Sequence, residues 1–223
     1  LHDALPIFAN AKACSVVEIL KIEALRSELR GYLESMNQVQ AQTRRRVLDG
    51  QSVPAREKIV SIFEKHTDII IKDRRETLFG HKICLTGGAS SLIIDCVIEE
   101  GNPSDSTLVK RSIERQIDIY GRAPRQTSFD GAFASQANLQ DAKGLGVKDV
   151  AFHKKCGLEI TDMAKSAWVF KMLRDFRAGI EGCISTLKRA FRLDWCRWRG
   201  LAGFKSYVWA SIVSFNAIVI ARH

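Results

Sequence analysis

"GHKICLTGGASSLIIDCVIEEGNPSD", residues 80–105, is the stretch on which the fold class turns. Two runs rich in β-branched residues, 80–86 and 91–100, are parted by Gly87, Gly88 and a pair of serines. Such runs, four to ten residues long and bounded by Gly and Ser, read as strands joined by a short turn. Upstream, "DIIIK" (68–72) has the same texture. Downstream, "GNPSD" (101–105) closes the group, and Ser104 or Asp105 is placed to cap a helix over roughly 106–119.

The remaining chain alternates. "RQTSFD" (125–130) and "DVAFH" (149–153) read as short strands on either side of the short helix and turn "ASQANLQDAKGLG". A long helix is expected from about Asp162 to Arg192 and a last one over 203–221. Before residue 68 the texture is helical: Val16, Ile19, Leu20, Leu25, Leu29, Leu33 and Met36 recur at helix spacing within 15–42. "TRRRVLDGQSVP" then reads as a basic linker ending at Asp49-Gly50 and Pro54. Three strands, helix, strand, helix, strand, long helix is the order of an α/β ribonuclease H-like core. It predicts a mixed sheet flanked by helices, behind an N-terminal helical connector.

Residues 1–7, "LHDALPI", are what CTACACGACGCTCTTCCGATCT encodes in frame. That string resembles the end of a common sequencing adapter, so these residues are set aside from fold reasoning. The expected organisation is 1–7 as read-through, 8–57 as connector and linker, and 58–223 as the ribonuclease H-like α/β domain. A natural N-terminal portion is expected to be missing.

The 223 residues, 46% hydrophobic, suffice for one substantial core. A net charge of +9 and a pI near 9.4 favour an anionic partner, nucleic acid before membrane. The longest apolar run, 207–221, is shorter than a spanning helix needs, and a buried C-terminal helix is expected instead. Cys14, Cys84, Cys96, Cys156, Cys183 and Cys196 form no C-x-x-C pair. They read as free thiols of a reducing cytoplasm rather than a zinc site.

The chemistry concentrates in "DFRAGIEGCISTLKR", residues 175–189. At helical spacing Glu181 falls about 40° from Arg177, Lys188 about 20°, and Arg174 about 60° to the other side. Phe176, Ile180, Cys183, Ile184 and Leu187 fill a separate core arc. Arg177 to Glu181 is also an i,i+4 pair, so a salt-bridged surface is the plain alternative. Asp130 ends the 125–130 strand, where Asp-Gly could be only a turn, and Asp68 opens the first strand. Acids on neighbouring strands, with a third from a crossing helix, suit Mg²⁺, a hard ion held by carboxylates, water and phosphate. Two such ions serve in-line phosphoryl displacement. Lys82 is a further candidate for DNA, whereas Asp105 reads as a cap or sheet-end contact. Trp195 and Trp198 read as packing for the last helix rather than stacking for bases.

"SIFEKHTDIIIKD", "GHKICLTGG", "EEGNPSDSTLV", "TSFDGAFAS" and "GVKDVAFHKKCGLEITDM" resemble the DDE transposases of bacterial insertion sequences, in the group not yet classified. The resemblance covers about residues 40–222. Arg177, Glu181 and Lys188 match that family's Y-x2-R-x3-E-x6-K signature, with Arg174 standing where the tyrosine would be. It implies a metal-dependent enzyme, with Mg²⁺ or Mn²⁺, that cuts transposon ends and joins them to target double-stranded DNA. It implies Asp130 as the second catalytic acid and Glu181 as the third. Asp68 is the first by its place in the strand, with Glu64 and Asp73 within a register error of it. Arg174, Arg177, Lys188 and Lys82 would meet DNA. A homo-oligomer is implied for the full-length protein, nucleoid-associated in the bacterial cytoplasm and without a membrane partner. A non-catalytic DNA-binding remnant and a nuclease of the same fold are the rival readings.

Overall fold

The computed structural model describes residues 15–54, 57–72, 76–153 and 156–222. Residues 1–7 and Asp73 lie outside them. The chain divides into two compact units, Leu1–Ile69 and Ile70–His223.

In the first unit, α1 (Val16–Thr43) begins at a reciprocal cap. The Ser15 hydroxyl accepts from the Glu18 amide at 3.3 Å, and the Glu18 carboxylate accepts from the Ser15 amide at 2.8 Å. The helix does not stop at the basic linker but passes into one π-helical turn, Arg44–Leu48, because Arg44 and its neighbours keep helical dihedrals. Gln42 then holds the following segment: its amide donates to Ile59 O and accepts from Ile59 N, at 2.8 and 2.9 Å. Arg45 pairs with Glu57 at 3.1 Å.

The second unit carries the α/β core. Strand β1 (Asp68–Lys72) starts at the end of the first unit and pairs with β2 (Glu76–Gly80). The strand expected over 80–86 begins at Ile83 instead, and a separate strand not expected from the sequence, β2, ends at Gly80, whose φ is 157°. β3 (Ile83–Gly87) and β4 (Ile93–Ile98) form an antiparallel pair. β5 (Gln126–Phe129) and β6 (Asp149–Phe152) form a parallel one. The single mixed sheet expected from the order of elements is therefore not formed among the described residues. Three two-stranded sheets stand in its place, because no strand joins β3 to β5.

Helices α2 (Leu108–Tyr120), α3 (Gln136–Gly144), α4 (Ile160–Met163), α5 (Ala167–Phe191) and α6 (Gly200–Ala221) complete the unit. The expected long helix from Asp162 is interrupted at Ala164–Ser166, where Ser166 caps α5 by accepting from Val169 N. Neither Ser104 nor Asp105 caps α2 through its side chain; they open a 3₁₀ turn (Asp105–Thr107) that leads into it.

One core joins β5, β6, α2, α3 and the first half of α5, around Val109, Ile113, Phe152, Met163 and Val169. The other joins β3, β4, the second half of α5 and α6, around Ile93, Cys96, Leu187, Val208 and Ile212. A bulge makes the second possible. Thr86 faces Asp95 but Gly87 faces Ile93, leaving Ile94 as the extra residue. The slip reverses alternation, so Ile93 joins Cys96 on the inner face while Asp95 points the other way, to Arg115 of α2.

In α6, Asn216 occupies the edge of β4: its amide donates to Ile93 O at 2.8 Å and accepts from Ile93 N at 2.9 Å. A polar residue in an apolar helix thus imitates a strand partner. The expected burial of this helix is only half right. Val208, Ser211, Ile212 and Phe215 are buried, whereas Trp209, Val213 and Ile220 are exposed. Begun at Gly200, the helix is also long and apolar enough, by length and composition, to cross a membrane.

Candidate active site

Asp130 follows the last residue of β5 and turns the chain into a 3₁₀ turn, Gly131–Phe133. Its Oδ1 accepts from the Gly131 amide at 2.6 Å, so the turn role suggested by Asp-Gly is real. That bond leaves the rest of the carboxylate free of local duty, with the side chain 58% exposed.

Helix α5 passes this strand end. Its inner arc runs as the periodicity suggests: Cys183 and Leu187 are buried, and Phe176, Ile180 and Ile184 are half-buried. At Gly87 the approach is closest, since a Cβ there would lie 1.8 Å from Ile180 Cδ1. The missing Cβ of Gly87 lets the end of β3 and α5 pack at this distance with Ile180 in place.

That packing sets Arg177 beside Asp130. The guanidinium is 14% exposed, and one nitrogen serves two acids: Nη1 lies 2.9 Å from Glu181 Oε1 and 3.6 Å from Asp130 Oδ1. The two carboxylate oxygens can be no farther apart than those two distances laid end to end. Both carboxylates are largely open to solvent, Asp130 at 58% and Glu181 at 59% exposed. Two half-exposed carboxylates converging on one point suit a hard divalent cation, which takes one or two carboxylates and completes its shell with water and phosphate. No group of three or more His, Cys, Asp or Glu side chains that could hold a metal occurs among the described residues.

The other sequence candidates are distributed as follows. Asp68 is the half-buried first residue of β1 and belongs to the first unit. Glu64, in the same unit, pairs with His66 at 2.7 Å. Arg174 and Lys188 are exposed on α5, on either side of Glu181 along the helix. Lys82 is engaged: its ammonium donates to Pro103 O at 2.7 Å and pairs with Asp105. Trp198 rests against Tyr207 of α6, ring centroids 5.8 Å apart, and Trp195 is exposed.

The site opens on a groove of about 390 Å³. Its walls are β3 on one side and β5 on the other, with α2 and α5 completing them. The order of elements did not reveal this groove, because it exists only where two strands fail to meet.

A family model described as a transposase DDE domain matches residues 40–217. The chain belongs to the DDE transposase family. No curated protein and no solved structure matches it.

Proposed function

We propose that this chain is the ribonuclease H-like catalytic domain of an insertion-sequence transposase. It would cut transposon-end DNA and join the freed end to target DNA. The observation that carries this reading is the meeting of Asp130 and Glu181 on Arg177. The net charge of +9 supports a polyanionic substrate, double-stranded DNA.

Asp130 and Glu181, as second and third acids, are the residues that would hold Mg²⁺ or Mn²⁺, with Asp68 proposed from its place in the sequence as the first acid and two ions in the complete site. The bound metal would polarise the scissile phosphate and lower the pKa of the attacking water. The chain's own part is positional. Arg177 keeps the two carboxylates together and, being little exposed, is a positioning residue rather than a phosphate contact. Arg174 and Lys188 lie on the exposed side of α5 and are suited to neighbouring phosphates. In the first step water adds to phosphorus and the 3′-oxygen leaves. In the second, that 3′-hydroxyl attacks a target phosphodiester and displaces the target's own 3′-oxygen. The reading extends to a homo-oligomer working on the nucleoid in the cytoplasm.

The test is nicking of supercoiled plasmid with Mg²⁺ or Mn²⁺, paired with DNA binding by fluorescence anisotropy over a salt series. Glu181→Gln should reduce nicking to background and leave salt-sensitive binding nearly intact. Equal nicking by the variant removes Glu181 from the mechanism. Binding without nicking in the parent chain favours the remnant reading, and nicking without strand joining favours a simple nuclease.

A further inference from the structure

The turn between α5 and α6, residues 192–199, is tied down everywhere except at its outermost side chain. Arg192 closes α5 in the left-handed region, at φ 51° and ψ 39°, a position that ordinarily takes glycine. Its amide and that of Leu193 both donate to Leu187 O, the second at 3.1 Å. Tyr207 of α6 reaches back to the same end, its hydroxyl 2.8 Å from Phe191 O and 2.9 Å from Arg192 O. Arg192 O also accepts from the Trp195 amide at 2.9 Å, and the Trp198 ring lies against Tyr207. These contacts fix the backbone of Trp195 and leave its indole outside, 68% exposed. The packing role expected of both tryptophans therefore falls to Trp198 and not to Trp195.

Cations surround the indole in the chain. Lys188, Arg192, Arg197 and Arg199 are exposed, and none is ion-paired among the described residues. The negative end of the α5 dipole accounts for Lys188 and Arg192, but Arg197 and Arg199 lie past the helix, beyond the reach of that effect. Lys188 falls within about 20° of Glu181 around the helix. The basic strip thus starts on the face of the proposed metal-holding acid and ends at the turn, about 16 Å farther along the axis.

A rigidly held aromatic face among unpaired cations is what a nucleobase outside a duplex takes: its ring stacks on the indole, and the cations meet its phosphates. A paired base is already stacked on its neighbours and offers no such face. We propose that Trp195 is a stacking platform for an unpaired base of the DNA bound at the site, with Arg197 and Arg199 on the phosphates that flank that base. At about 3.4 Å of rise per nucleotide, this base lies about five nucleotides from the phosphate at Glu181, so it is not the nucleotide being cut. The inference rests on the reading of the chain as a DNA-cutting domain, but its test needs neither metal nor cutting.

The test uses the full 223-residue chain in EDTA and two duplexes of equal length, one fully paired and one carrying a single unpaired thymine. Anisotropy gives the two affinities, and tryptophan fluorescence reports stacking. The duplex with the unpaired thymine should bind about tenfold more tightly and quench the fluorescence. Trp195→Ala should bring that preference close to one and remove most of the quenching, with its thermal midpoint in place because the indole is exposed. Trp195→Phe should keep part of the preference. Trp168→Ala, which removes an indole 71% exposed at the start of α5, should keep all of it.

An equal preference in Trp195→Ala and the parent chain overturns the proposal, as does a parent chain with no preference. If such a chain still nicks plasmid, the platform fails and the catalytic reading stands. Preference without nicking fails the catalytic reading and keeps the platform. Quenching by anionic vesicles of brominated phosphatidylglycerol that Trp195→Ala abolishes, without any preference for the unpaired thymine, gives the indole to a membrane surface instead.

Discussion

Arg115 of α2 grips Asp95 of β4 with both arms of its guanidinium, Nε to Oδ2 at 2.8 Å and Nη2 to Oδ1 at 2.7 Å. One helical turn earlier, Arg111 pairs with the buried Glu99. These two pairs attach α2 to β4 and to the residue that follows it. Asp95 is 5% exposed, and the arginine's hydrogen bonds hold its carboxyl below the usual carboxylate range against the opposing effect of burial. Arg115→Ala leaves that carboxylate unpaired and should cost about 2–3 kcal/mol in urea unfolding. This is less than for a fully buried pair, because Arg115 is 41% exposed.

The same pair sets an acid limit. A folded-state pKa below the unfolded value near 3.9 contributes stability that is complete above that value and lost as pH falls through the folded pKa. Asp149 acts in the same direction. Burial pushes its carboxyl up, but the Gln126 amide, the Lys165 N–H and nearby lysines outweigh that and bring it down. Stability should therefore fall steeply below about pH 4. In Asp95→Asn the fall should be shallower over that range, which urea midpoints between pH 3 and 7 would read.

Gly87 is required by Ile180 rather than by its backbone angles. Gly87→Ala should destabilise by about 1–2 kcal/mol through overpacking against Ile180 Cδ1. Ile180→Val removes that atom. The double variant Gly87→Ala/Ile180→Val should recover most of the loss, giving a coupling of about 1 kcal/mol in a mutant cycle. Additive costs would place the constraint elsewhere.

The described cysteines should differ in reactivity. Cys96 is buried, and desolvation with the Asp95 charge beside it pushes its thiol up to about 12. Cys183 is raised as well, by burial. Cys156 is exposed at a turn. Maleimide labelling of the native chain at neutral pH, located by peptide mass mapping, should mark Cys156 and spare Cys96 and Cys183 until the chain is unfolded.

The basic residues should separate by whether they are engaged. Lys188→Ala and Arg174→Ala each remove an exposed charge, and each should lower the slope of log K against log salt for DNA by about 0.9. Lys82→Ala should leave the slope unchanged, since that ammonium is held by Asp105 and Pro103 O. A change at Lys82 equal to that at Lys188 would show that the Lys82–Asp105 pair opens on DNA.

Much of this fold is local and was legible. The β-branched runs of 68–72, 80–86 and 91–100 carry strands at their centres, and the apolar arc of 175–189 is the inner face of α5. What escaped was marginal by the same local rules. β2 is five residues whose side chains are mostly exposed, so it has no alternation to betray it. The π-helical turn at Arg44–Leu48 hides in a stretch whose charge suggests a linker. The bulge at Ile94 depends on the partner strand, and no pattern in β4 alone announces it.

The sequence by itself determined most of the helices and strands and their order, the basic charge and the family. Each rests on residue type and short-range spacing, or on motifs that survive in linear order. It also put Arg177 and Glu181 on one face of a helix, since four residues make little more than one turn. Only the tertiary structure decided that Asp130, 47 positions before Arg177 in the chain, shares that guanidinium. Only the tertiary structure left β3 and β5 with open edges. Both outcomes depend on how α5 packs against two separate strand pairs, and that is set by side-chain volumes such as those of Gly87 and Ile180 rather than by any period in the sequence.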